Sequence, residues 1–438
     1  MQLLCTKGHF FHNYKCDSQN NLAAVIGGPD ANVCLHMATI LRNYKIPQLT
    51  YSSAPETNNK PQVGFEHWMF PSASNEYEGI LQLLLHFRWT WVGVLYVSVE
   101  STDIFVQNML PVFAQRGICL DFVEKLPSMS FSNEIENMVL KGIKTFRVIM
   151  GSTANVVVFH GETHTMIIFR YLIQYLQFYD IPVNNKGRVW IMTAEMAFTS
   201  LPFQRTWDVN ILHGAISFAV HSREVLGLQK FLQMRNPTSE KDDGFIKIFW
   251  EKAFECLFPI SMVNKETEEI CTGEEKLGTL PASIIEMSLT AHSVHNAVYA
   301  VAHALHAMYS SKFKHRATVD EGKWKLLNQH PWQILRFLRN VVFNNTAGEQ
   351  VSFDQNGVLI GGLDIVNWVT YPNQSFRRVK VGKIDPNAPT DLVFTISEDT
   401  IIWPSRFNQK VISLMSKNPF KVENGQCLLI EALVSMDN

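Results

Sequence analysis

The stretch Gly27-Gly28-Pro29-Asp30-Ala31 follows the apolar run AAVI and leads into a helical pattern, CLHMATILRNY. A glycine turn opening a helix presents backbone N–H groups to an anion. It is neither GxGxxG nor a P-loop, and Pro29 removes one donor. A tight strand-to-helix turn explains it equally well. His160-Gly161-Glu162-Thr163-His164 offers two imidazoles and a carboxylate, but the spacing is wrong for a helical zinc site. A loop-to-helix start with Glu162 in the first turn is the better reading. Around Ser288–Tyr309, His292, His295, His303 and His306 share one helix face at about 100° per residue, opposite Val294, Val298, Val301, Leu305 and Met308. The two histidine pairs lie roughly 16 Å apart at ~1.5 Å rise per residue, so one metal cannot hold all four. A solvated or interface face is expected, with a pH-sensitive contact as the alternative.

No GxSxG elbow or HExxH helix occurs. The carboxylates are dispersed, with no pair spaced for acid–base work. Neither an enzyme nor a bound cofactor or metal is expected. The seven cysteines form no CxxC, against zinc-ribbon and thioredoxin readings. Cys256 and Cys271 flank the polar loop FPISMVNKETEEI, which a disulfide would staple; two free thiols are the other reading. Sequons at Asn344-Asn345-Thr346 and Asn373-Gln374-Ser375 point to an oxidising, extracellular setting.

These residues sit on alternating strand and helix patterns. AAVIGG and IPQLTYSS bracket a helix; NEYEGILQLLLHF feeds the strand WTWVGVLYVS; NVVVFHG, RVWIMTA and HGAISFAV follow in the same rhythm. Such βαβ alternation implies parallel sheets with helices on both faces, and it runs too long for one sheet. The later part reads first as helices and then as hairpin strands, with turn signals at Asn356-Gly357 and Gly361-Gly362. The chain has 438 residues, enough for two or three domains, and 46% hydrophobic content marks it as globular. A net charge of −2 with no basic block argues against nucleic acid. No run reaches the roughly 18 apolar residues of a membrane span, and the start shows no signal peptide.

Several phrases together resemble the extracellular ligand-binding region of family C G-protein-coupled receptors. They are NYKCDSQNNLAAVIGGPDANVCLHMATILRNYKIPQLTY, HFRWTWVGVLY, QRGICLDF, RVWIMTAEM, FIKIFWEKAFEC, CTGEEKL, WQILRFLRNV, GEQVSFDQNG and DIVNWV. STANVVVFHGETHTMIIFRYL is especially similar to the vomeronasal type 2 group. The resemblance covers roughly residues 10–408. It implies a bilobed Venus flytrap, a type I periplasmic-binding-protein-like α/β fold with two parallel-sheet lobes. Residues 1–72 plus 215–342 are expected as lobe 1, residues 73–214 plus 343–406 as lobe 2, and 407–438 as an irregular tail.

The resemblance also implies where a ligand would touch. In amino-acid-sensing members the glycine turn and the turn after the next strand grip a carboxylate; the first hydroxyl position falls here at Ala31, and the second turn, with Ser52 and Ser53, is one residue short and lacks the binding hydroxyl unless Ser53 substitutes for it. The family's cleft Asp falls at Ala73. Its cleft Tyr, in the loop after WVGVLYV, falls at Ser101. Its cleft acid falls at Ala194, with Glu195 one step away. Losing these partners argues for a ligand larger than an amino acid, such as a peptide, because an unpaired buried charge costs several kcal/mol. Cys256 and Cys271 match a family disulfide. Cys119 matches one reaching a downstream Cys-rich domain, so it is expected here without its partner.

Function, by this resemblance, is ligand capture in the interlobe cleft of a chemosensory, pheromone-type receptor at the extracellular side of the plasma membrane. A homo- or heterodimer through lobe 1 is implied, with G-protein contact only through a membrane domain absent from this chain. The ends depart from the family: the chain starts after the first strand and helix, and its last segment resembles neither Cys-rich module nor membrane helix. An incomplete gene model, a pseudogene product or a truncated splice form is the simplest account. A soluble decoy form and a non-functional fragment are the alternatives.

Overall fold

The computed structural model describes residues 22–28, 30–54, 64–97, 100–127, 135–178, 187–196, 207–221, 227, 230–231, 234–238, 244–254, 256–258, 270–276, 288–314, 330–372, 376–407, 420–423 and 426–429. In chain order the elements are β1 (Val25–Ile26), α1 (Ala31–Asn43), β2 (Gln48–Thr50), β3 (Glu66–Trp68), α2 (Ala73–His86), β4 (Trp91–Val97), α3 (Glu100–Gln115), β5 (Cys119–Leu126), α4 (Ile135–Gly151), β6 (Val156–His160), α5 (Thr163–Phe178), β7 (Val189–Met192) and β8 (Ile216–Val220). Helices Gly244–Phe254, Ser288–Lys314 and Leu335–Arg339 follow. Next come β9 (Val342–Asn344), β10 (Gln350–Ser352), β11 (Leu363–Thr370), β12 (Phe376–Ile384), β13 (Phe394–Ile396), β14 (Phe420–Glu423) and β15 (Gln426–Leu429).

The chain divides into two compact units, Met1–Pro71 with Ser293–Ile360, and Ser72–His292 with Gly361–Asn438. It therefore passes between units three times, after Pro71, His292 and Ile360. This division departs from the expected boundaries in its later segments. β8 is hydrogen-bonded between β7 and β11, which draws residues 216–220 into the second unit. Phe343 and Val351, from β9 and β10, share a core with Leu49 and Met69, which draws that hairpin into the first. The expected irregular tail contains the antiparallel pair β14–β15.

The first unit holds a parallel three-stranded sheet, β1-β2-β3, and the β9–β10 hairpin. Its core joins Leu49 and Met69 to Ala297, Ala300 and Ala304 of the long helix Ser288–Lys314. That helix buries its alanine stripe and Met308, while Val298 is 49% exposed. The expected division into a histidine face and a valine face is therefore incorrect. His303 and His306 are exposed, but His292 is buried. Alanines allow close backbone approach, so the small residues rather than the bulky ones set the packed face.

The second unit is built on an eight-stranded mixed sheet, ordered β13-β12-β11-β8-β7-β6-β4-β5. β8, β7, β6, β4 and β5 are mutually parallel; β11, β12 and β13 are antiparallel. Every residue of β6, β7 and β11 is buried, as central strands covered on both faces must be. Their side chains alternate with period two. Val156, Val158, Val189 and Ile191 face the α2–α3 side, with Leu84 and Phe113. Val157, Phe159, Trp190 and Met192 face the α4–α5 side, with Phe146 and Phe169. On that side Gly142 of α4 leaves room for Leu172 of α5: a Cβ there would lie 2.4 Å from Leu172 Cδ2. Each large apolar side chain so buried contributes on the order of 1.5–3 kcal/mol. Among the described residues no helix is long and apolar enough to cross a membrane.

Candidate functional site

In open α/β sheets ligands bind beyond the carboxyl ends of the strands, where backbone N–H groups of following helices point outward. Both units present such an edge.

In the first unit, β1 and β2 run parallel and end at Ile26 and Thr50. Gly27 lies tight against β2: a Cβ there would sit 3.0 Å from Cys34 Sγ and 3.2 Å from Gln48 Nε2. The Cys34 thiol donates to Gly28 O at 3.2 Å, and burial pushes its pKa up. Asp30 caps α1, its Oδ1 accepting the Val33 N–H at 2.8 Å. Ala31, the first helical residue, is buried and offers no polar side-chain atom. After β2, the buried Ser52 hydroxyl turns inward to Thr50 Oγ1 at 3.2 Å, whereas Ser53 is half-buried. The anion-binding potential of the glycine turn is thus partly taken by the protein's own carboxylate.

In the second unit β4, β6 and β7 end at Val97, His160 and Met192. Ala73 begins α2 and Ala194 follows β7; both pack against the same core. Ser101 lies in the first turn of α3, not in the loop where the resemblance puts it; its side chain is outside the described residues. The turns after β6 and β7 are tied reciprocally: Thr193 Oγ1 donates to Gly161 O at 2.8 Å and accepts the Gly161 N–H at 3.1 Å. Glu162 sits just before α5, buried, 3.9 Å from His164 Nδ1. His160 is engaged elsewhere, stacked on Phe105 with centroids 4.3 Å apart.

Sequence reasoning missed Glu76. It lies one turn into α2, buried, and its Oε1 accepts the Ala194 N–H at 2.5 Å. Burial pushes its pKa up to about 8; the Ala194 N–H opposes the shift and the Glu195 charge adds to it. Tyr77 Oη lies 3.5 Å from His160 Nε2, and burial holds that imidazole down at about 3. Glu76 has a signal in the sequence: on a helix it lines up with Ile80, Leu83 and Leu84, an acid inside an apolar stripe.

Cys256 and Cys271 are joined by a disulfide with Cα atoms 5.0 Å apart. Closing a loop of that length stabilises by about 3 kcal/mol in the chain-entropy account. Beside it, Glu275 accepts from Trp250 Nε1 at 2.6 Å, Thr272 N at 2.6 Å and Gly273 N at 2.9 Å. Slight desolvation raises the Glu275 pKa, but hydrogen bonds from Thr272 and Trp250 outweigh it and hold the carboxyl at about 2. Cys119 corrects an expectation: it is disulfide-bonded within this chain rather than left without a partner. Asn344 is exposed, and Asn373 lies outside the described residues.

The chain is similar over 416 residues, at 27% identity, to the extracellular calcium-sensing receptor of Homo sapiens, covering 89% of this chain and 37% of that protein. It is 27% identical over 428 residues to vomeronasal type-2 receptor 26 of Mus musculus, covering 96% and 48%. It is 24% identical over 355 residues to metabotropic glutamate receptor 4 of Rattus norvegicus, covering 79% and 36%. The chain thus spans between about a third and a half of the length of these curated relatives, all of them receptors. The model of the receptor family ligand binding region matches residues 10–370, a family with a periplasmic-binding-protein-like fold. With the parallel strand edges described above, that match makes this chain a member of the receptor family ligand binding region.

Proposed function

We propose that this chain is the ligand-binding region of a chemosensory, pheromone-type G-protein-coupled receptor, with the ligand captured in the interlobe cleft the resemblance implies. The ligand is larger than a free α-amino acid, and a peptide is the class favoured. The reading carries no catalytic role. The receptor stands at the plasma membrane with this region outside, pairs through its first lobe, and reaches a G protein through the family's membrane domain.

The observation that supports the ligand class is the commitment of polar groups at the strand ends. A free amino acid brings two opposite charges, and each costs several kcal/mol if buried unpaired. At α1 the Asp30 carboxylate already accepts the Val33 N–H, so a ligand carboxylate would meet like charge there. Glu76 accepts from Ala194, and with a pKa of about 8 it is mostly protonated at neutral pH. Ala31, Ala73 and Ala194 supply no polar side-chain atoms. Calorimetry on a complete receptor carrying this region, titrated with the common L-amino acids and then with short peptides, tests the reading. Heat from peptides alone is expected; micromolar binding of single amino acids would overturn it.

A further inference from the structure

We propose that Asn344 carries an N-linked glycan, which makes the outer face of the β9–β10 hairpin a modified rather than a bare surface. The inference rests on the extracellular reading above. The sequence supplies the acceptor pattern Asn344-Asn345-Thr346. The pattern alone is weak; the structure gives the two asparagines opposite fates.

Asn345 is buried and builds the turn. Its Oδ1 accepts the Ala347 and Glu349 N–H groups at 3.0 and 2.9 Å. Its Nδ2 donates to Glu349 Oε2 at 2.9 Å and Asn296 Oδ1 at 3.3 Å. Every polar atom of that side chain serves the fold, and Ala347 two positions on denies it a sequon. Asn344 ends β9 with the opposite orientation and is exposed, as is Thr346. Strand alternation puts Val342 on the same outward face, where it is 60% exposed, while Phe343 between them is buried. Across the ladder Asn344 faces Gln350, also exposed. A glycan at Asn344 projects from the hairpin without displacing a core group, and its first sugars cover the exposed valine.

In the transfer, the Asn344 side-chain nitrogen bonds to C1 of an oligosaccharide carried on a lipid diphosphate. The C1–oxygen bond to the carrier breaks, the diphosphate leaves with the electron pair, and the amide proton passes to base. Fixing the turn through Asn345 leaves both Asn344 and Thr346 exposed.

The test is to express the full chain behind an added secretion signal in mammalian cells. Peptide mapping after peptide-N-glycosidase treatment then reports conversion of Asn344 to aspartate, and non-reducing mapping reports the Cys256–Cys271 disulfide. The expected result is a disulfide-bonded chain converted at Asn344. Asn344→Gln and Thr346→Ala should each remove one glycan's mass on gels, and Thr346→Ser should keep it. A disulfide-bonded chain left unmodified at Asn344 would overturn the inference. A secreted chain with neither disulfide nor glycan would overturn the extracellular reading beneath it.

Discussion

The two strand edges place helix starts against strand ends in the same way, yet they treat polarity differently. In the first unit the polar groups at the edge are small and bonded locally: Asp30 to Val33, Ser52 to Thr50, Cys34 to Gly28. None of those bonds spans more than six residues. In the second unit the edge is held by long-range contacts through buried titratable groups. Glu76 reaches Ala194 across 118 residues, and His160 meets Tyr77 across 83. Local bonds fix a turn whatever the rest of the chain does. Long-range bonds to groups that change charge tie the turn to the packing of the whole unit, and so to pH.

Replacing Glu76 with Gln should break that contrast most strongly. The Glu76 pKa rises from an ordinary 4.5 to about 8 on folding. A raised folded pKa means stability fully present below the unfolded value and lost as pH rises through the folded one. Between pH 4.5 and 8 the wild-type second unit therefore loses up to about 1.4 kcal/mol per pH unit from this group, on the order of 4 kcal/mol altogether. His160 acts with the opposite sign: its pKa falls from 6.5 to about 3, so its stability is lost as pH drops below 6.5. The two slopes cancel between about pH 4.5 and 6.5, so the unit should be most stable on that plateau. Gln keeps an acceptor for the Ala194 N–H, so Glu76→Gln should match wild type at pH 4 and exceed it at pH 8. Hydrogen exchange of second-unit amides against pH measures this, and an unchanged alkaline limb would remove the buried carboxyl from the account.

The first unit has a buried imidazole of its own, away from the edge. His67 of β3 lies edge-on to Phe353, with centroids 5.1 Å apart and both ring nitrogens without hydrogen-bond partners. Burial, with Arg339 adding to it, holds its pKa down at about 4. The lowered value makes this unit lose stability toward acid, on the order of 3 kcal/mol between pH 6.5 and 4. His67→Leu should remove that acid limb from first-unit amides and leave the alkaline limb of the second unit in place. It should also stabilise the first unit at pH 7 by about 1–3 kcal/mol, since two buried unpaired nitrogens are lost. Equal acid sensitivity in variant and wild type would show that another group sets it.

Much of the second unit was legible in the sequence, because buried central strands announce themselves as apolar runs: VVVFH, VWIM and LDIVNWVT appear as β6, β7 and β11. Partition between units was less legible, since it depends on which strand accepts β8 as neighbour, a pairing with β11 across more than 140 residues. The faces of the helix Ser288–Lys314 were misread because alanines, not valines, mark its contact. Glu76 was overlooked because its meaning lies in a backbone N–H supplied from a distant turn. The Asp30 cap is less legible because the glycines beside it also fit an anion site, while Asp30 itself supplies the anion.

Asp30→Ala removes the cap on Val33 N–H and should cost about 1 kcal/mol, confined to the start of α1. Asp30→Asn keeps a capping oxygen, and Asn caps as well as Asp, so stability should change by only a few tenths of that. The two variants differ in what they offer an incoming anion. Asn leaves the N–H occupied but removes the negative charge, and the helix N-terminus then carries its positive end of the macrodipole unopposed. If Asp30 excludes ligand carboxylates by charge, Asp30→Asn should gain affinity for acidic amino acids or acidic peptides while its melting temperature stays put. If shape alone excludes them, neither variant gains, and the missing hydroxyl at Ala31 is the determinant instead. Ala31→Ser in the Asp30→Asn background separates the two: a gain that needs both changes assigns recognition jointly to charge and hydroxyl at the turn after β1.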